Sequence, residues 1–391
     1  VKRLLLIFSL VVLLGGVATA QRNNTFYVDQ FAGSDVGTKA ANAQKACNAN
    51  TAVTCVIVFD PELSQYPAGT LPSACSQCLW VDYRGQNPFG TSGLYQYVGF
   101  RNRFINGLFQ VDQRNGGAAQ TITAGGNLAY TVDHWYAYST GANIVGQQYN
   151  WQGGYQFTGA AGVTSVSFGQ RIESRYVVDL TNAVMSIGLW SNSLTSVTWS
   201  VYLCNTQDSC GSVSAPTHQL MSTGTCTVSS VVSECVVPLS FTGGNYPGNG
   251  VEVIFKTGVF ASGNLVFSGA QLEGGFVNTP FERRPLVLEQ VLCQRYWQKI
   301  GGTSSSDVIF GGYASAASQS IYGSTMLLPV QMFSLPQATI VGTWNVVNGS
   351  QPIIQAITSS SVSLVMSSAA AGPVVGYSKN TTTYITLNAE L

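Results

Sequence analysis

The chain has 391 residues, of which only 9% are charged and 45% hydrophobic, with 42 glycines and a formal net charge of zero. That length predicts about two to four domains. The composition excludes a basic nucleic-acid binder, since no Lys/Arg stripe occurs, and it excludes a disordered chain, since apolar and aromatic residues are plentiful.

Residues 1–20 read as a secretory signal peptide. Lys2 and Arg3 supply the positive start, residues 4–14 an apolar run too short to span a bilayer comfortably, and Ala18-Thr19-Ala20 a small-residue cleavage site. Removing that segment takes two of the 17 basic residues and leaves 15 against 17 acidic ones, a net charge of −2. No later stretch is apolar enough to cross a membrane. Export permits disulfides. Eight cysteines fall into close neighbours, Cys47 with Cys55, Cys75 with Cys78, Cys204 with Cys210 and Cys226 with Cys235, which favours local bridges; Cys293 is the odd one. The Cys75-x-x-Cys78 pair lacks the second pair or histidines of a zinc site, so a disulfide is the preferred reading.

Residues 21–98 form a first, small mixed unit. Thr25 to Asp29, Val53 to Phe59 and Leu79 to Tyr83 read as strands. Residues 38–47 are Ala-rich and predict a short helix, with Thr38 as its cap. This order resembles the opening of pectate-lyase-like β-helix proteins, in which a G-x-D-x-G turn leads into a capping helix. The rungs that should follow are absent, so a degenerate polysaccharide lyase ranks low.

Residues 99–285 predict a jelly-roll β-sandwich. Val197, Trp199, Val201 and Leu203 alternate with Thr198, Ser200 and Tyr202, the period of a half-buried strand. Val251 to Phe255 and Asn264 to Phe267 behave alike, with Gly/Pro/Asn turns between. Residues 286–391 predict a smaller C-terminal β domain: a helical segment over 288–300, then strands over 325–332, 339–347, 362–366 and 384–387. The fold class read from the sequence is therefore all-β: a jelly-roll β-sandwich, a smaller C-terminal β domain and a small mixed N-terminal segment.

Three segments carry a second resemblance. Residues 103–114 contain Asn106-Gly107 and end in Gln113-Arg114; residues 130–135 read Tyr-Thr-Val-Asp-His-Trp; and Gln271-Leu272-Glu273 leads to Thr279-Pro280-Phe281-Glu282-Arg283-Arg284-Pro285, followed by Leu292-Cys293-Gln294-Arg295-Tyr296. In this order they resemble tail-fibre-like and related bacterial surface proteins with a carbohydrate-binding-type jelly roll. His134 stands where that pattern has Arg. The resemblance implies a glycan-adhesion or structural role, often in trimers; the signal peptide departs from the phage pattern and implies a bacterial surface protein.

Catalytic material is sparse. The two histidines, His134 and His218, lie far apart in sequence, and no nucleophile motif occurs. No EF-hand or H-E-x-x-H sequence is present. The reading is therefore not an enzyme, with no cofactor and no metal. Sugar binding on aromatic platforms is the positive reading, because rings stack on pyranose C–H faces while amides take the hydroxyls. Residues 147–156 interleave Tyr149, Trp151 and Tyr155 with four glutamines, Gln152 among them, and Trp190 and Tyr202 are further candidates. Trp135 and Trp199 are assigned to the core. The expected function is a secreted or surface-displayed, non-catalytic glycan-binding protein, adhesin-like, whose partner is a glycan or polysaccharide surface; a homo-oligomer, a trimer, is what the resemblance implies. The alternative is a structural, self-associating fibre or surface component without a ligand.

Overall fold

The computed structural model describes residues 21–22, 25–49, 55–59, 78–82, 101–126, 128–149, 153–303, 307–379 and 381–391. The signal segment, Cys75, Trp151 and Gln152 lie outside the described residues. Two compact units divide at Arg101 and Asn102.

The first unit contains β1 (Gln21–Arg22), β2 (Thr25–Tyr27), α1 (Val36–Asn48), β3 (Cys55–Phe59) and β4 (Cys78–Asp82). β2, β3 and β4 pair in parallel, with Cys55 opposite Cys78 in the backbone register. The helix starts two residues before the expected position. Its cap is Asp35, not Thr38: the Asp35 carboxylate accepts from the Thr38 N–H at 2.8 Å and from the Thr38 hydroxyl at 2.8 Å. An anion at a helix start takes a free first-turn donor and faces the positive end of the helix dipole. Cys47 is buried and disulfide-bonded, while the side chains of Cys55 and Cys78 lie outside the described residues.

The second unit opens with a jelly-roll β-sandwich. Its strands are β5 (Gln120–Ile122), β6 (Ala129–Tyr130), β7 (Tyr136–Thr140), β8 (Ile144–Gln148), β9 (Tyr155–Thr158), β10 (Ser165–Ile172), β11 (Asn182–Ser191), β12 (Ser196–Cys204), β13 (His218–Thr227), β14 (Ser233–Ser240), β15 (Val251–Lys256) and β16 (Asn264–Gly274). One six-stranded sheet runs β13-β12-β15-β10-β7-β6, and the other runs β14-β11-β16-β9-β8-β5. Alternate residues of both sheets meet in one core, as the period of two requires. Phe168 sits among five rings, with centroids 5.0 Å from Trp135 and Phe267, 5.3 Å from Tyr155 and Phe157, and 5.6 Å from Phe109. Trp135 and Trp199 are buried. Two local disulfides form as the spacing favours, Cys204–Cys210 and Cys226–Cys235. The second ties the edge strand of one sheet, β13, to the edge strand of the other, β14. Cross-linking a loop that short stabilises by about 2.7 kcal/mol in the chain-entropy account. Cys293 is free and buried.

α2 (Ser174–Val177) follows β10, and α3 (Leu286–Gln294) leads out of the sandwich. The helical expectation over 288–300 holds only as far as Gln294. Trp297–Ile300 is a strand, β17, because Trp297 and Gln298 are buried and pair with the final strand. The rest comprises β18 (Val308–Ala314), β19 (Ser320–Tyr322), β20 (Met326–Leu327), β21 (Gln337–Val341), β22 (Asn345–Val347), β23 (Ile353–Ile357), β24 (Ser361–Ser367), β25 (Gly372–Tyr377) and β26 (Tyr384–Asn388). These strands surround a second core that includes Phe310, Trp344, Leu364, Met366 and Leu387. The strand expected over 339–347 is broken at Gly342, whose φ of +75° is left-handed.

The motif segments close the sandwich. Gly107 lies so near the Ala270 carbonyl that a Cβ would stand 2.3 Å from it. Glu282 accepts from the Asn102 N–H at 2.9 Å, and Arg284 pairs with Glu289 at 3.2 Å. Buried Glu173, at the end of β10, receives two bonds from Arg295, at 2.7 and 3.0 Å, and one from the Tyr296 hydroxyl. That carboxylate joins the sandwich to the strands that follow.

Candidate functional site

The outward face of the sheet β14-β11-β16-β9-β8-β5 carries the candidate site. In β8, Ile144 and Gly146 point inward, so Val145 and Gln147 point out, and Tyr149 just beyond continues that side. Register then aligns residues from four strands. Trp190 of β11 lies opposite Val266 of β16, Val266 opposite Gln156 of β9, and Gln156 opposite Gln147 of β8. With strands about 4.8 Å apart, this row extends about 14 Å. The parallel row is made of small residues. Gly188 lies opposite Ser268, whose hydroxyl would be 2.5 Å from a Cβ placed on Gly188. The Tyr149 N–H donates to the Gly154 carbonyl at 2.9 Å, and the Tyr149 ring lies against Gly154. The result is a shallow floor flanked by two aromatics.

Each side chain is suited to contact. Tyr149 is 49% exposed. Trp190 is half-buried over its strand, and its indole N–H donates to the Ser230 carbonyl at 2.9 Å, which fixes the ring. Gln147 donates to the Gly117 carbonyl at 3.1 Å, leaving its amide oxygen as an acceptor. Aromatic area beside amide donors and acceptors suits a ligand with both apolar and hydroxyl faces.

Of the residues expected from sequence, Tyr149 and Trp190 share this face. Tyr155 does not: it is 1% exposed and stacks on Phe168 at 5.3 Å. Parity dictates this, because Gln156 points outward and its neighbours must point into the core. Tyr202 belongs to the other sheet. It projects from β12 on the opposite side of the sandwich and stacks on His218 at 4.0 Å. His218 and the Tyr136 hydroxyl both bond buried Glu252, as does Arg171 at 2.8 Å. Burial pushes the Glu252 pKa up, but those three partners outweigh it and hold the carboxyl below its ordinary value. His134 is buried, stacked on Tyr296 at 3.8 Å and bonded to Glu390 at 2.8 Å. Val266, Ser268, Gly154 and Gly188 were missed, since their place in the floor depends on pairing between distant strands. No group of three or more metal-ligating side chains occurs among the described residues. No helix among them is long and apolar enough to cross a membrane.

No family model matches the sequence, and no curated protein does. Solved structures similar to the chain include a putative sugar binding protein from Bacteroides thetaiotaomicron, 13% identical over 45% of this chain and 100% of its own, with a TM-score of 0.30. A family 11 carbohydrate-binding module from Clostridium thermocellum is 10% identical over 43% of this chain and 95% of its own, with a TM-score of 0.23. The enzymatically active domain of tailspike protein 4 of bacteriophage CBA120 is 13% identical over 57% of this chain and 34% of its own, with a TM-score of 0.30. The comparisons give no support to the β-helix resemblance of residues 25–60.

Proposed function

We propose that this is a secreted or surface-displayed bacterial protein that binds glycan without catalysis, in the manner of an adhesin. The observation that carries the reading is the cross-strand alignment of Trp190, Val266, Gln156 and Gln147 beside exposed Tyr149 on one open sheet face. The two disulfides support export, because such bonds persist in oxidising compartments. The ligand is an oligosaccharide laid across the strands, its apolar ring faces on the aromatics and its hydroxyls on the amides. A glycan array with the folded protein identifies a binding sugar. Trp190→Ala and Tyr149→Ala are each expected to weaken that sugar by about tenfold or more while the melting temperature of Tyr149→Ala stays unchanged. If both variants bind as the parent does, the platform is elsewhere.

A second reading, a self-associating fibre component, has its own observation. The outer face of β18, β25 and β22 exposes Val308, Tyr313 and Val347 and carries no charge. An uncovered apolar sheet face of this kind fits a second copy of the chain. Light scattering expects a trimer on this reading, and a strict monomer would remove it.

A further inference from the structure

The sheet on the other side of the sandwich carries a feature that the glycan platform does not use. Lys256 ends β15 near the middle of the sheet, with Ser167 of β10 on one side in register and Thr198 of β12 on the other. Beyond them on the same row stand Tyr138 of β7 and Thr225 of β13. Lys256, Thr198 and Thr225 are exposed, and Tyr138 is half-buried.

Two independent observations single out this row. The first is charge. From Asn102 to Gly274, the end of β16, the sandwich holds four arginines, and each has a carboxylate: Arg103 with Asp179, Arg114 with Glu390, Arg171 with Glu252 and Arg175 with Glu173. Lys256 has no ion pair among the described residues. The acidic residue nearest it on its own strand face is Glu252, four residues away and about 13 Å off at strand rise, already held by His218, Arg171 and Tyr136. The second is Ser167. Its side chain is fully buried, and its hydroxyl has no hydrogen-bond partner. An unmatched buried hydroxyl is costly and calls for an explanation. Here it lies directly beside a free ammonium on a flexible stem.

We infer that this face is a second sugar site, selective for an acidic sugar residue. The Lys256 ammonium takes the sugar's carboxylate or sulfate. Tyr138 offers a ring face, the exposed hydroxyls of Thr198 and Thr225 meet the ring oxygens, and the Ser167 hydroxyl beneath them is reached once the Lys256 stem swings toward the anion. A compact ammonium serves as a point charge for such an anion. The site lies on the opposite side of the sandwich from Trp190 and is independent of it.

Calorimetric titration with trigalacturonic acid, a sulfated galactan trisaccharide and neutral galactotriose tests the inference. The protein is expected to bind at least one acidic probe more tightly than the neutral one, with affinity falling as salt is raised. Lys256→Met, whose side chain is exposed and whose fold is checked by melting, is expected to lose about fivefold or more in affinity for that probe. Lys256→Arg should retain binding, Ser167→Ala should weaken it, and Trp190→Ala should leave it unchanged. Dependence on Lys256 for the carboxylate probe alone assigns a uronic acid, and for the sulfated probe alone a sulfated sugar. Failure to bind either acidic probe, equal binding by Lys256→Met, or loss on Trp190→Ala would overturn the second site. None of these outcomes counts against the Trp190 platform, and the last assigns the acidic probe to it.

Discussion

Phe168→Ala is expected to lower the stability of the sandwich by about 3–5 kcal/mol. Phe168 is fully buried, and its ring meets Trp135, Phe267, Tyr155, Phe157 and Phe109. These rings come from both sheets and the segments beside them: Phe168 from β10 on one side, Tyr155 and Phe157 from β9 and Phe267 from β16 on the other, with Trp135 just before β7 and Phe109 in the segment that precedes β5. Truncation removes the transfer free energy of the ring and leaves a cavity that five stiff aromatics cannot collapse to fill. Phe168→Leu retains part of the volume and is expected to cost less. Urea unfolding measures both: the midpoint should fall with little change in slope. A loss below about 1 kcal/mol for the alanine variant would mean that the sheets are not held by this cluster.

Much of this architecture was legible in the sequence because it rests on a local period. The alternation of Val197, Trp199, Val201 and Leu203 predicted a strand with one buried face, and all four are buried. The neighbour spacing of Cys204 with Cys210 and of Cys226 with Cys235 predicted the two bridges. The candidate site was legible only in part. The aromatic–amide composition of residues 147–156 marked a region but not its faces. Tyr155 was misassigned because composition ignores parity, and parity puts Tyr155 under the sheet and Gln156 above it. That Trp190 joins this stretch depends on β16 lying between β11 and β9. That pairing links residues far apart in the chain, and no local pattern encodes it.

The second large effect concerns pH. Asp133 is fully buried, and burial raises its pKa from the ordinary 3.8 to about 7. The Gln113 side chain and Arg114 oppose the rise, but Glu390 and Asp112 add to it. Arg114 is already committed to Glu390 at 2.5 Å and stands 4.0 Å from Asp133. Between about pH 4 and pH 7 the folded protein therefore holds a proton that the unfolded chain has released. The stability from protonated Asp133 is fully present below pH 4 and is lost as pH rises through about 7. A rise of about three pH units, at about 1.4 kcal/mol each, sets an upper limit of about 4 kcal/mol. Glu252 and Glu390 act in the opposite sense. Both are held below their ordinary value of 4.5, so what they contribute is lost as pH falls below that value. Stability should therefore peak in mildly acidic solution, at about pH 5. Asp133→Asn removes the buried charge while keeping the oxygen that accepts from the Gln113 N–H. It is expected to be more stable than the parent at pH 8, by roughly 2–4 kcal/mol, and to match it at pH 4. Chemical unfolding at the two pH values measures the difference directly. An Asn variant less stable than the parent at pH 8 would show that the ionised Asp133 is held by Arg114 more strongly than burial penalises it.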